Sequence, residues 1–192
     1  MKFTETRFEG AWLVELQPAW DERGFFASSW DRREFAGRGL AVDLDECGIS
    51  FNQRRGTLRG LHYQAAPLEQ AKLVRCTSGA IWDVIVDLRP TSATRGQWQG
   101  FELSATNRRS LYIPRGLAHG FQTLNDDSEV FYQMSGRYSP EAARGIRWDD
   151  PALAVEWPPA PERIVSPRDR EWPLLDPLPI PPRKGEGGKR RG

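Results

Sequence analysis

The pattern of apolar and polar positions along this chain is strand-like from end to end, and helix signals are few and short. The clearest case is Ala71–Leu88. Lys72–Cys76 and Ala80–Leu88 read as two strands joined by a tight turn at Thr77-Ser-Gly79, where glycine supplies a permissive backbone. In Ile81-Trp-Asp-Val-Ile-Val-Asp-Leu88, β-branched and aromatic residues dominate, with acids at 83 and 87, which suits the wall of a sandwich or barrel. Further strands are expected near Ala11–Leu16, Arg23–Ser29, Gly100–Leu103, Ser110–Ile113 and Ser128–Met134. Turn signals recur about every 8 to 12 residues, the spacing of all-β sandwiches and barrels. Asp31–Ala36 and Pro140–Arg144 are each expected to make a helical turn or two.

The chain has 192 residues, 27 Lys and Arg against 26 Asp and Glu. Nothing in that balance points to nucleic acid or an anionic membrane surface as a partner. No apolar run approaches the roughly 20 residues of a membrane helix, and the charged N-terminus does not read as a signal peptide. A soluble, cytoplasmic protein is expected. From Trp172 onward, five prolines and a Gly/Lys/Arg-rich finish read as a loosely attached tail. With no repeat and no interior linker, residues 1–176 are expected to form one domain and 177–192 a flexible basic tail. Eight tryptophans are expected in the core or at a subunit interface.

Candidate chemistry is narrowed by scarcity, because the chain holds two histidines. His62 lies in Arg59-Gly-Leu-His-Tyr-Gln64 and His119 in Pro114-Arg-Gly-Leu-Ala-His-Gly-Phe121, each next to a strand-like run. Imidazole, with an ordinary pKa of about 6.5, is the usual proton carrier near neutral pH. Pro114-x-Gly-x-x-His119 resembles the second half of the cupin signature, but the first half lacks its ligands, so no metal is expected. Cys47 and Cys76 lie in no motif with a histidine, and a buried structural role is expected for both. No Gly-x-Ser-x-Gly elbow or phosphate loop occurs. What remains is acid–base work. Side chains at alternate positions of several barrel strands converge on one lumen, so His62, Lys72, His119 and Tyr132 are candidates to face a common pocket.

Several blocks resemble the dTDP-4-dehydrorhamnose 3,5-epimerases, metal-independent sugar-nucleotide enzymes of the cupin type. They are Asp21-Glu-Arg-Gly-Phe-Phe26, Arg55-Gly-Thr-Leu-Arg-Gly-Leu-His-Tyr-Gln64, Lys72-Leu-Val-Arg-Cys76, Trp82–Arg89, Ile113–Phe121, Trp148-Asp-Asp-Pro151 and Ser166-Pro-Arg-Asp169. The resemblance implies a cupin-type jelly roll, all-β with a few short helices, and an epimerase that needs no cofactor. Its substrate would be a dTDP-linked 4-keto-6-deoxyhexose. It implies His62 as general base with Asp169 as its paired carboxylate, Tyr132 as general acid, and Lys72 and His119 around the sugar ketone. Arg59 and Arg168 would contact phosphate or substrate, and Tyr138 would stack on the base. Arg23 and Phe26, in the first block, would meet the nucleotide across the interface of a homodimer that exchanges N-terminal strands.

The chain departs from the family pattern in places. The family often has Glu at Ser28 and Ala143, Lys at Arg168, and a Gln-Asp-Asn-like segment near Cys47-Gly48-Ile49. These positions bear on nucleotide and sugar-hydroxyl contacts. They keep open an epimerase acting at C3 or C5 alone, and beyond it a non-catalytic cupin binding an anionic ligand through Arg59 and Arg115.

Overall fold

The computed structural model describes residues 1–175; the tail expected at 177–192 lies outside the described residues. The first part of the chain holds β1 (Lys2–Glu5), β2 (Trp12–Glu15), β3 (Ala19–Asp21), β4 (Gly24–Phe26), α1 (Arg32–Ala36) and β5 (Leu44–Asn52). The middle holds β6 (Thr57–Gln64), β7 (Lys72–Ser78), β8 (Ala80–Asp87), β9 (Trp98–Ser104), β10 (Ser110–Ile113), β11 (Leu117–Thr123) and β12 (Ser128–Ser135). β13 (Ala143–Gly145), β14 (Ile164–Val165) and α2 (Pro167–Arg170) follow. The architecture is all-β with two short helices.

Two sheets face each other. The first runs β1-β2-β10-β7-β12-β5, and the second β13-β6-β11-β8-β9 with β14 parallel against β6. β3 and β4 form a separate hairpin. From β5 to β8 the chain crosses between the sheets at every connection, which is how a jelly roll winds. The pair expected to meet at Thr77–Gly79 is therefore no hairpin. β7 and β8 lie in opposite sheets, and Gly79 (φ +70°) turns the corner where a Cβ would run into Ser128.

Alternation then sorts each strand between two apolar layers. Val74, Cys76 and Val130 from the first sheet meet Ile81, Ile85, Leu103 and Phe121 from the second. Each such fully buried large side chain contributes about 1.5–3 kcal/mol. The opposite faces are covered as well. Phe35 of α1 packs with Val14, Leu73 and Tyr112, and Ile146, Leu153 and Trp157 close over Leu61, Val84 and Val86. That double cover explains the near-continuous apolar character of β8.

Helix α1 forms where expected, its first amides at Arg33 and Glu34 capped by Asp31 at 2.9 Å. Pro140–Arg144 does not make a helix. One turn closes at Ser139, and the chain then extends as β13 along the free edge of β6. No tryptophan is fully buried, and Trp20 stands in solvent. Cys47 is exposed, contrary to expectation, because it points outward from the edge strand β5; Cys76 is buried.

Glycine placement decides where the site forms. The two histidine segments are themselves strands, β6 and β11, paired with His119 opposite His62 and a register shift just beyond. Gly60 has φ +142°, and a Cβ on it would come within 2.6 Å of Gly120 Cα. A Cβ on Gly120 would come within 2.8 Å of Arg59 O. Only bare glycines let the two backbones pass this closely.

Candidate active site

Between the sheets, beyond the end of the apolar core, opens a cavity of about 410 Å³. Its walls include Arg59, His62, Lys72, His119, Tyr132, Tyr138, Arg168 and Asp169. Eight of the ten residues singled out in the sequence are thus brought together. Arg23 and Phe26 are not, for they lie on the β3–β4 hairpin outside this cavity, with Arg23 paired to Asp21 at its tip. Arg115 also lies elsewhere, 3.6 Å from Asp43.

The most accessible proton carrier is His62, whose side chain is 40% exposed on β6. Its Nε2 lies 2.6 Å from Asp169 Oδ1. Asp169 is presented by α2, a single turn opened by Ser166, whose hydroxyl accepts from Asp169 N. The carboxylate also accepts from Gly60 N at 3.3 Å and from Trp172 Nε1 at 3.2 Å. Burial alone raises the Asp169 carboxyl, but the hydrogen bonds led by His62 outweigh it and hold it below its ordinary value. An ionised partner on one imidazole nitrogen fixes the tautomer and leaves the other free to take a proton.

Lys72 and Tyr132 come from the opposite sheet, on the paired strands β7 and β12. Burial brings the Lys72 ammonium down to about 8, against a smaller opposing pull from Asp83. Burial, reinforced by Asp83, pushes the Tyr132 phenol well above the ordinary tyrosine value, with Arg59 opposing. Tyr132 is therefore a phenol at neutral pH, with a proton to give. Arg59 is steadied by Asn52 at 2.8 Å, and Arg168 lies 5.0 Å over the Trp172 ring. Tyr138 stands half-exposed at the rim.

Two residues that reasoning from sequence passed over now matter. Asp83 accepts from His119 Nε2 at 2.8 Å, and its signal was an acid at an inward position of an apolar strand. Trp172 meets His62 edge-on, with ring centroids 6.3 Å apart, as well as bonding Asp169. Its contact with His62, far back along the chain, could not be read locally, although Asp169 is only three residues away. Of the departing positions, Ala143 lines the cavity and Gly48 pairs with Tyr132 across β5 and β12.

Burial pushes the Cys76 thiol up to about 11, which leaves it inert as a nucleophile. Among the described residues no three His, Cys, Asp or Glu side chains group to hold a metal ion. No helix among them is long and apolar enough to cross a membrane. The cavity sets an imidazole–carboxylate pair on one wall against a phenol and an ammonium on the other, groups able to move a proton on and off a carbon beside a carbonyl.

A family model described as dTDP-4-dehydrorhamnose 3,5-epimerase matches residues 5–177. The dTDP-4-dehydrorhamnose 3,5-epimerase of Sinorhizobium fredii is 43% identical over 172 residues, covering 88% of this chain and 86% of its own. The enzyme of that name from Bacillus anthracis, solved with TDP and PPi bound, superposes with a TM-score of 0.87 at 42% identity, covering 91% of this chain and 99% of that one. The dTDP-6-deoxy-D-glucose-3,5-epimerase of Legionella pneumophila, in complex with dTDP-4-keto-L-rhamnose, gives 0.85 at 36% identity, covering 90% and 92%.

Proposed function

The chain belongs to the dTDP-4-dehydrorhamnose 3,5-epimerase family, and from that membership we propose how its own residues carry the reaction. It is a cupin-type isomerase that inverts C3 and C5 of dTDP-4-dehydro-6-deoxy-D-glucose, giving dTDP-4-dehydro-L-rhamnose. The observation that carries the residue assignment is the His62–Asp169 pair facing Lys72 and Tyr132 from the opposite sheet.

Carbons 3 and 5 both flank the C4 ketone, so loss of either proton gives an enolate. Neutral His62 takes the proton, and the Asp169 carboxylate stabilises the imidazolium that results. Lys72 offsets the charge growing on the ketone oxygen, a kind of preorganised contact worth roughly 3–4 kcal/mol. Tyr132 then delivers a proton to the other face of the carbon and inverts it. Each positioned acid or base contributes about 10²–10⁴ in rate. The ketone makes the adjacent C–H acidic, so these steps call on no cofactor. His119 holds the sugar near its ketone, Arg59 and Arg168 meet the diphosphate, and Tyr138 stacks on the base.

The active unit is read as a homodimer. Arg23 is 84% exposed and Phe26 78%, with Trp20 beside them, an apolar and cationic hairpin tip left in solvent. The exposed β3–β4 hairpin supports the reading that the N-terminal strands exchange between subunits and carry Arg23 and Phe26 to the partner's cavity. Charged nucleotide sugars do not cross membranes unaided, which supports a cytoplasmic setting for the reaction.

The test is to incubate the protein with dTDP-4-dehydro-6-deoxy-D-glucose and read the sugar's proton–proton couplings. A product with both centres inverted supports the assignment. Inversion at one carbon makes it a mono-epimerase of a related 4-keto-6-deoxysugar, and bound but unchanged substrate makes it a binding protein.

A further inference from the structure

Strand β8 carries an acid where alternation calls for an apolar side chain. Asp83 points between the sheets in line with Ile81 and Ile85, and none of its surface reaches solvent. Burying a carboxylate is costly unless neighbouring groups compensate it. One oxygen, Oδ2, is 2.8 Å from His119 Nε2. The other, Oδ1, is buried and has no hydrogen-bond partner among the described residues. The titratable groups that face it are His119 on β11, Lys72 and Cys76 on β7, and Tyr132 on β12, with Arg59 of β6 beside Tyr132. A buried carboxylate with an unsatisfied oxygen is a feature that a fold built only for stability removes.

We propose that Asp83 is a positioning residue of the reaction centre: it fixes the His119 ring with Nδ1 toward the cavity and stands as the buried counter-charge behind Lys72 and Tyr132. The proposal rests on the epimerase reading of the cavity and deepens it, since Asp83 acts through its neighbours and does not touch substrate.

The geometry of His119 follows from the hydrogen bond. A carboxylate can only accept, so Nε2 carries the proton and Nδ1 is the atom left for a ligand oxygen. His119 and Tyr132 then meet from opposite sheets, their rings edge to face with centroids 6.2 Å apart. Electrostatics runs the same way. The Asp83 charge opposes the loss of the Lys72 proton and adds to burial in keeping Tyr132 protonated. Both are the forms the reaction uses, an ammonium beside an enolate oxygen and a phenol with a proton to give.

Asp83→Asn tests this, because an amide oxygen keeps the acceptor for His119 Nε2 while the charge is lost. We expect kcat for substrate deuterium exchange to fall about 100-fold with KM within about threefold of wild type. The basic limb of the kcat/KM profile moves to lower pH, since Lys72 and Tyr132 both lose their protons more easily. A variant with wild-type kcat and an unmoved basic limb overturns the proposal. A second measurement needs no variant. With two histidines in the chain, the nitrogen-15 resonances of the imidazoles are separable, and His119 is expected as the Nε2–H tautomer. An Nδ1–H His119 overturns the proposal even if Asp83→Asn fails to fold. Wild-type protein that exchanges no substrate proton sinks the epimerase reading instead, and the tautomer still decides the role of Asp83.

Discussion

His62 and His119 are register partners across β6 and β11, and each gives Nε2 to its own buried aspartate. Direct partners in an antiparallel ladder project from the same face, so the two imidazoles enter one cavity side by side. Their exposure differs sharply, 40% for the His62 side chain against 5% for His119. The open ring is the one a ligand can reach freely, and the enclosed ring is held by its surroundings.

His62→Asn removes the imidazole and is expected to lower turnover by about 10²–10⁴. Because the side chain is so exposed, its melting temperature should stay close to wild type. Near-normal turnover in the folded variant rules His62 out as the base.

Tyr132→Phe keeps the ring and loses the hydroxyl. His62 can still remove and return a proton on its own face, so solvent deuterium should enter the sugar faster than configuration inverts. The check is to follow both rates in one NMR time course; equal rates assign the acid elsewhere.

Lys72 supplies an ammonium with a pKa of about 8. Its proton is present below that value and lost above it, so kcat/KM should fall as pH rises through about 8. Lys72→Met should remove that limb and depress the rate at every pH, whereas an unmoved limb points to another group.

Trp172→Phe leaves a ring against Gly145, where a Cβ would collide with the indole, but deletes the donor to Asp169 Oδ1. A hydrogen bond to a charged group is worth about 1.5–3 kcal/mol, so kcat should drop about tenfold or more with KM little changed. A loss confined to KM assigns Trp172 to substrate contact instead.

Asp87 tests the fold rather than the site. Its carboxylate, fully buried, accepts from Arg89, Ser92 and Thr94 and so pins the 88–97 connection to β8. Burial alone raises it, yet those hydrogen bonds bring it down to about 2. A carboxylate depressed in the folded state stabilises above its unfolded pKa of about 3.9. That contribution is lost as pH falls from there through about 2. Asp87→Asn should therefore cost on the order of 2–3 kcal/mol in urea denaturation at pH 7, with the gap to wild type closing in acid.

Much of the site was legible because a small set of residue types can do this chemistry, and His62, Lys72, His119, Tyr132 and Asp169 do line one cavity. The all-β class was legible in the β-branched and aromatic run of β8 and in the turn signals that recur along the chain. Elsewhere, glycine misled. Gly60 and Gly120 weaken the strand pattern of β6 and β11, although their bareness is what allows those strands to cross closely. Gly79 looked like a hairpin turn and is a corner between sheets, since strand pairing depends on partners far along the chain. Asp83 stayed hidden because its partner His119 lies 36 residues away on the neighbouring strand, and Trp172 because its ring meets His62 only once α2 is folded against β6. Arg23 and Phe26 find no place in their own chain's cavity, and their reading depends on a second copy.

The most direct test of the central claim is to count substrate protons exchanged in D₂O by wild-type protein and by His62→Asn. Deuterium should enter at both C3 and C5 with wild type and hardly at all with the variant. Equal exchange by the two proteins, or no exchange by either, contradicts it.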